Sequence, residues 1–569
     1  MQLTCEINVG MLEALTAYAL TYRTGTTESM DLSLSNWIPC RDLAGRARRL
    51  SLRDILVEAH ELRAIEHHIP IVEAGLQRLM IALALDIFHP KTMSELADLL
   101  KLGRFNTSDI DEYFIRYADH FSLFSSTRPF LQDAAAGGAE KPIAALLPSR
   151  PSGTNAVHWN HGHESDFAVT PGEAALLLTT IAPFMTAGGA GLSPSINGAP
   201  PWYVMIAAET LFETTALNLW VHHPNIKRGA PAWRRTTPLQ TETRQSSASL
   251  LQGLTWMPRR IRLIPGAGGR SSLSGEESPV LVHAMYFTAG EACDFGYPTW
   301  IDPNVAYVIS KDKTNPLRPR EDRDPWRDVG ALALLEEQSG GDIRHVRPAI
   351  VSQFARMAAD GLLARTELRL RLYGMRTDLK MKIFEWYRQS LELPVPLVLR
   401  SEIHLRLLAA EDQAEGIQWN IKRSLELAVT PANHTPKSEA KALILAACTI
   451  FWAAMEQPFL DLANALGTTN PAEFAPADAA IVSWRRMLGD AANHAFNVAT
   501  AELRLDAMSL IAIERGRDLL QRAIRRLTPS VAPQSESTVS NSRSSISSSQ
   551  PISTARGTTR TRSSQRSDS

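Results

Sequence analysis

The sequence predicts an α+β protein in two unequal parts: a large mixed domain with irregular loops over residues 30–393, then an all-α four-helix bundle over 394–527. Two observations carry this. Up to about residue 390, helical patterns mix with short strand candidates and long loops. After Pro394 and Pro396 the texture becomes nearly continuous helix in four long stretches, which pair most economically as an up-down bundle.

Residues 1–29 lack a basic start, a long apolar core and a small-residue cleavage site, so they read as an N-terminal extension rather than an export signal. Ser51-Leu52-Arg53-Asp54 begins like a helix cap, and Leu52, Ile55, Leu56, Ala59 and Leu62 follow at helical spacing. Val72 to Phe88, Met93 to Leu102 and Ser108 to Ala118 continue the helical character. Arg260 to Ile264, Val280 to Phe287 and Leu368 to Tyr373 are short, rich in β-formers and bounded by Gly or Pro, which predicts strands.

The bundle helices are expected at Leu397 to Val429, Ser438 to Leu466, Pro476 to Ala499 and Leu503 to Leu527. Pro458 should kink the second, because it removes a backbone donor and crowds the preceding turn. The most apolar run, Ala442 to Met455, is shorter than the roughly 20 residues that cross a bilayer and reads as a buried bundle helix. Residues 528–569 are Ser/Thr-rich, with five arginines against two acids, and read as a disordered tail that buries too little apolar surface to order.

At 569 residues the chain is long enough for two sizeable cores, and its 44% apolar content is ordinary for a globular protein. A formal net charge of −1 argues against a protein that binds DNA alone along a basic groove; it suits either no nucleic-acid partner or local patches within an assembly. Cys5, Cys40, Cys293 and Cys448 are scattered, with no CxxC pair, which suits a reducing cytoplasm and no disulfide framework.

Chemistry concentrates between Pro151 and Leu219, where two glycine-punctuated loops flank a helical pattern. The first offers Gly153, Asn155, His158, Trp159, Asn160 and Gly162: flat π faces, amide groups and permissive backbone. The second offers Gly188, Gly189, Gly191 and Gly198 beside Ser193, Ser195 and Asn197, where missing side chains let another backbone or a groove edge come close.

The run Gly191-Leu192-Ser193-Pro194-Ser195-Ile196-Asn197-Gly198-Ala199-Pro200-Pro201-Trp202, followed by Glu209-Thr210-Leu211-Phe212-Glu213-Thr214, resembles the CasA family, the large subunit of type I-E CRISPR Cascade complexes. Asn36-Trp37-Ile38-Pro39, Arg128-Pro129-Phe130-Leu131-Gln132, Trp300-Ile301-Asp302-Pro303-Asn304-Val305-Ala306-Tyr307 and Lys382-Ile383-Phe384-Glu385-Trp386 match in the family's order, over roughly residues 30 to 527.

The resemblance implies a non-catalytic role in antiviral defence: recognition of the protospacer-adjacent motif on duplex DNA, help in opening the duplex, and a surface for the helicase-nuclease. Its implied partners are the other Cascade subunits, CRISPR RNA and target DNA. Matching positions place a minor-groove loop at Gly188, Gly189, Ala190 and Gly191, and an RNA-contacting tip at His158, Trp159 and Asn160. The duplex-splitting wedge falls on residues 374–379, with Arg376, Thr377 and Asp378 as contacts and Leu379 where a relative has glutamine. The family's basic finger aligns near Gly290-Glu291-Ala292-Cys293-Asp294, which is acidic here; Arg270 or Lys313 could substitute.

No cofactor is expected. Some family members carry a zinc knuckle where this chain reads Pro265-Gly266-Ala267-Gly268-Gly269-Arg270-Ser271-Ser272, without a metal ligand. That run lacks the GK[ST] ending and following helix of a phosphate loop, and His158, His161 and His163 match no metal-binding spacing. The alternatives left open are an interaction subunit without DNA recognition and a hydrolase with an unrecognised site.

Overall fold

The computed structural model describes residues 30–147 and 167–527, apart from 189–190, 222–225, 240, 242, 298, 311–312, 322, 335–337, 341–342, 378–382, 430–436, 469–473, 502 and 504–505. β1 (Ile38–Asp42) pairs antiparallel with β2 (Ala47–Leu50) and β3 (Leu62–Ile65). Between β2 and β3, α1 (Leu52–Val57) starts at Ser51, whose hydroxyl accepts from the Asp54 amide. α2 (Pro70–Ile87), α3 (Met93–Leu102) and α4 (Thr107–Arg116) then fall within a residue or two of the expected spans.

The chain continues through β4 (Glu140–Pro142), α5 (Pro171–Leu178), α6 (Ile181–Phe184), β5 (Tyr203–Ala207), α7 (Leu211–Leu217) and α8 (Leu250–Leu254). β6 (Arg259–Arg270) and β7 (Glu277–Ala289) form a long antiparallel ribbon, with β4 on the far side of β7. Pro265 to Arg270, expected as a loop after the strand, are therefore strand. A register shift between Ile264 and Pro265 lets the proline sit in an edge strand without donating, and pairing resumes through the glycines.

β8 (Tyr307–Ser310), β9 (Lys313–Pro316), β10 (Gln338–Gly340) and β11 (Ile343–Val346) make a sheet of order β10-β11-β8-β9. After α9 (Ala349–Ala359), the hairpin β12 (Glu367–Thr377) and β13 (Ile383–Pro394) joins β5 in the order β13-β12-β5. The expected strand Leu368 to Tyr373 is the middle of β12, which runs on toward the hairpin tip.

α10 (Val395–Leu399) precedes the bundle helices α11 (Ser401–Ala428), α12 (Lys437–Thr468), α13 (Phe474–Ala501) and α14 (Ala507–Leu527). The first bundle helix begins later than expected because Arg400 is extended, at φ −108° and ψ 110°. The last starts at Ala507 rather than Leu503, where Asp506 accepts from the Ser509 amide at 2.8 Å in the manner of an N-cap. α12 runs unbroken through Pro458. By length and composition it would also suit a membrane span, but Phe451, Met455, Phe459 and Leu462 on it are buried in the bundle core.

The β13-β12-β5 sheet is shared between two cores by its two-residue alternation. Tyr203, Met205, Tyr373 and Met375 face the core of the mixed domain, whereas Val204, Ile206, Leu368, Leu370 and Leu372 belong to the core that includes the bundle. Apolar packing thus runs on past Pro394 into α11–α14.

α2 is the hub of the mixed domain, buried on nearly all faces and carrying acidic and basic side chains that each find a different element. Glu73 accepts from Tyr373 at 2.6 Å and Arg388 at 2.7 Å, both on the β12–β13 hairpin. Arg78 forms a two-pronged pair with Asp302 at 3.1 and 2.8 Å. Asp86 accepts from Tyr113 and Arg234, each at 2.6 Å. Charges this deep are tolerated only when paired and hydrogen-bonded, so each pair ties one surface element to the same helix.

Candidate nucleic-acid interface

The glycine loop leaves α6 at Phe184 and returns at β5, and both of its stems are clamped. Ser195 donates its amide to the Met185 carbonyl at 2.8 Å, and Ser195 and Gly198 bridge each other. Arg259, at the start of β6, is fully buried and donates to the Thr186 carbonyl at 2.7 Å and to the Ser193 carbonyl. Its guanidinium gives charge-assisted bonds to carbonyls from both stems, and burial lowers its pKa to about 10. Gly188 is half-buried at one stem, while Gly191 is exposed at φ +80°, a conformation that favours glycine, with open space where a Cβ would stand. Gly189 and Ala190 lie outside the described residues.

The returning stem is fixed by a buried polar network. Asn197 donates to Asp302 at 2.8 Å and to the Tyr203 hydroxyl at 3.3 Å, and accepts from the Trp300 indole at 2.9 Å. Tyr203 donates to the Pro183 carbonyl at 2.8 Å and stacks under Arg78, whose guanidinium carbon is 4.4 Å from the ring centre. The two sequence motifs around Asn197 and Trp300 therefore meet in space and rest on α2.

The β12–β13 hairpin pairs with β5 only along Arg369 to Tyr373, so Gly374 to Thr377 and Ile383 to Tyr387 project beyond the sheet. The projecting part runs against the foot of the glycine loop. A Cβ at Gly374 would stand 2.6 Å from Pro319 and 2.7 Å from Trp202, a close approach that only glycine allows. Arg376 is engaged: it pairs with Glu385 at 2.9 Å and Glu321 at 3.3 Å, and its guanidinium lies 4.9 Å from the centre of the exposed Phe384 ring. Thr377 ends β12, and Asp378 lies outside the described residues.

His158, Trp159 and Asn160 also lie outside the described residues. The flanks of their segment are well anchored. Leu146 and Leu147 are buried before it; after it, Val169 exchanges two backbone hydrogen bonds with Val282 of β7, at 3.1 and 2.8 Å.

The stretch aligned with the family's basic finger does not project. Glu291 is buried and accepts from the Met257 amide at 3.0 Å, Arg235 at 2.9 Å and Gln245 at 2.9 Å, which explains why an acid stands there. Of the two substitutes, Arg270 pairs with Glu277 at 3.2 Å near the end of the β6–β7 ribbon, and Lys313 is exposed on β9.

Sequence reasoning missed the supports of this site: Arg259, and the Arg78–Asp302–Asn197 network. A signal was present in Arg78, a lone cation inside the apolar run of α2, which demands a buried partner. Arg259 carried none, since it reads like any arginine in a basic strand.

The family model for CRISPR-associated protein Cse1 matches residues 31–495. The CasA/Cse1 protein of Thermus thermophilus is 26% identical over 534 residues, which is 88% of this chain and 99% of that protein. The crystal structure of Cse1 from Acidimicrobium ferrooxidans superposes with a TM-score of 0.69 at 24% identity, covering 88% of this chain and 98% of that one. A chain from a structure described as a CRISPR RNA-guided surveillance complex gives a TM-score of 0.69 at 21% identity, over 87% of this chain and 99% of that one. With the α+β body followed by four packed helices, and with the family match running from β1 into the bundle, this chain belongs to the CRISPR-associated protein Cse1 family.

Proposed function

We propose that this chain is the non-catalytic large subunit of a cytoplasmic CRISPR RNA-guided surveillance complex, where it recognises the motif flanking a DNA target, helps open the duplex and offers a surface to the helicase-nuclease. Family membership and the relative seen in such a complex support the assignment. In guided recognition, base pairing reads the sequence and protein reads a short flanking duplex.

One observation carries the DNA-reading part: the glycine loop and the projecting hairpin share a root. Trp202 follows the loop and packs on Gly374 of the hairpin, while α2 holds both through Arg78 and Glu73. A loop able to approach a minor groove closely and a hairpin beside it can act on neighbouring steps of one duplex. The groove's base code is degenerate, so shape and close backbone approach matter there. In this reading Gly188, Gly189, Ala190 and Gly191 enter the groove, residues 376–378 lie at the strand-separating edge, and His158, Trp159 and Asn160 meet the guide RNA.

The sequence has no coherent nucleotide or catalytic metal constellation, so the isolated chain should neither cleave DNA nor hydrolyse ATP. The test is an assay of highly purified protein with divalent metal. Cleavage that disappears on mutating His161 or His163 would replace this reading with a hydrolase.

A further inference from the structure

Between the foot of the glycine loop and the hairpin runs Leu317 to Pro319. The Leu317 carbonyl accepts from the Trp202 amide, its own amide donates to the Ala306 carbonyl, and Pro319 packs on Gly374. Arg318, between them, lies against the loop: its Nε donates to the Ala199 carbonyl at 3.3 Å, and its Nη2 is 3.5 Å from where a Gly198 Cβ would stand.

Among the described residues, Arg318 differs from its neighbours in having no carboxylate partner. Arg320 faces Asp328, Arg323 faces Asp328, Glu411 and Glu415, and Arg376 faces Glu321 and Glu385. Among the described residues no acid pairs with Arg318, and the hydrogen bond its half-buried side chain makes there is from Nε to the Ala199 carbonyl. Burial without a compensating negative charge lowers its pKa, although a guanidinium remains charged at neutral pH. The fold therefore holds a partly desolvated cation in place, its Nη groups without a hydrogen-bond partner among the described residues, at the junction of the two elements proposed to meet DNA. A phosphate would supply the missing charge and take two parallel N–H bonds.

We infer that Arg318 is a phosphate-binding residue that grips the backbone of the target duplex between the glycine loop and the hairpin. This rests on the proposed DNA-reading role of those elements. A phosphate contact carries no base information, so Arg318 sets register and affinity while the loop discriminates the motif.

The test uses the reconstituted complex with guide RNA and compares wild type, Arg318→Ala, Arg318→Lys and Gly189→Asp. Binding is measured to a duplex with the flanking motif, a duplex with a scrambled motif, and a bare single-stranded target, over a range of salt. Arg318→Ala should weaken both duplexes by a similar, several-fold factor and lower the slope of log affinity against log salt by about 1. Arg318→Lys should recover most of the loss, and the single strand should be spared.

Unchanged affinity and slope in Arg318→Ala, with Gly189→Asp defective, would overturn the Arg318 assignment alone. If Gly189→Asp also bound the duplex normally, the DNA-reading role itself would fail. Loss of association with the guide-bound assembly before target is added would mean that Arg318 contacts RNA or a subunit, also against the inference. Loss confined to the matched motif would make it a base-reading residue instead. Melting curves of each free variant separate all of these from misfolding.

Discussion

Asn197 donates to Asp302 at 2.8 Å, joining two motifs 105 residues apart in the chain and anchoring the glycine loop to the buried helix α2 through Arg78. Both described stems of the loop are therefore held in place. Its stems are bound by Arg259 on one side and by this network on the other.

Asp302→Ala leaves Arg78 buried without a counter-charge and takes from Asn197 the nearer of its two acceptors, so stability should fall by about 3–5 kcal/mol. Chemical denaturation of the free protein reads this directly. A loss below about 1 kcal/mol would show that the network contributes little to holding the stem.

The joint between the mixed domain and the bundle should be pH-sensitive. Burial pushes the Glu411 carboxyl up to about 8, even with Arg323 at 3.0 Å, and Asp328 and Glu415 add to the rise. Its ordinary value is 4.5, so between there and about 8 the folded chain holds a proton that the unfolded chain releases. Stability through this group is present at the acidic end and is lost as pH rises. Glu415 is lowered by Arg327 and Arg323 against the effect of burial, so its contribution has the opposite sense and is lost as pH falls. Glu411→Gln, which cannot ionise, should therefore gain in Tm relative to wild type between about pH 5 and pH 8. A Tm difference that stays constant over that range would contradict this.

The His158→Ala, Trp159→Ala double variant should dock less tightly onto the guide-bound assembly while folding normally. Stacking of a ring on a splayed base is worth roughly 1–3 kcal/mol, so the loss should exceed about fivefold. Unchanged association in a titration, or unfolding of the free variant, would assign the rings to packing.

Removing residues 528–569 should leave both Tm and incorporation into the complex unchanged, because their composition offers no core. A fall in Tm of several degrees or failure to co-purify would give the tail a structural role.

Much of the fold could be read in the chain because its signals are local. The cap at Ser51, the apolar run of α2 and the prolines that open α10 each act within a few residues. The ribbon past Ile264 was hidden because proline and glycine resist strand pairing locally, and only the long partner strand β7 holds them there. The four bundle helices were visible as separate long stretches, but the sheet they share with the mixed domain was not, since a two-residue alternation does not say which core each face meets. At the candidate site, the glycines and the wedge positions were proposed from motif resemblance. Arg259, Asp302 and Arg318 were not, because their roles come from long-range contacts and, for Arg318, from the lack of a paired acid among the described residues.

The central claim is that the glycine loop reads duplex DNA. The most direct test is target binding by a reconstituted complex carrying Gly189→Asp, which adds bulk where close approach is required and negative charge beside phosphates. Binding to duplex with the correct flanking motif should fall at least about tenfold, while pairing to a bare single-stranded target should be nearly unchanged. A folded, incorporated variant that binds the duplex as wild type does would mean that Gly189 only turns the chain, and the interface would have to be sought elsewhere.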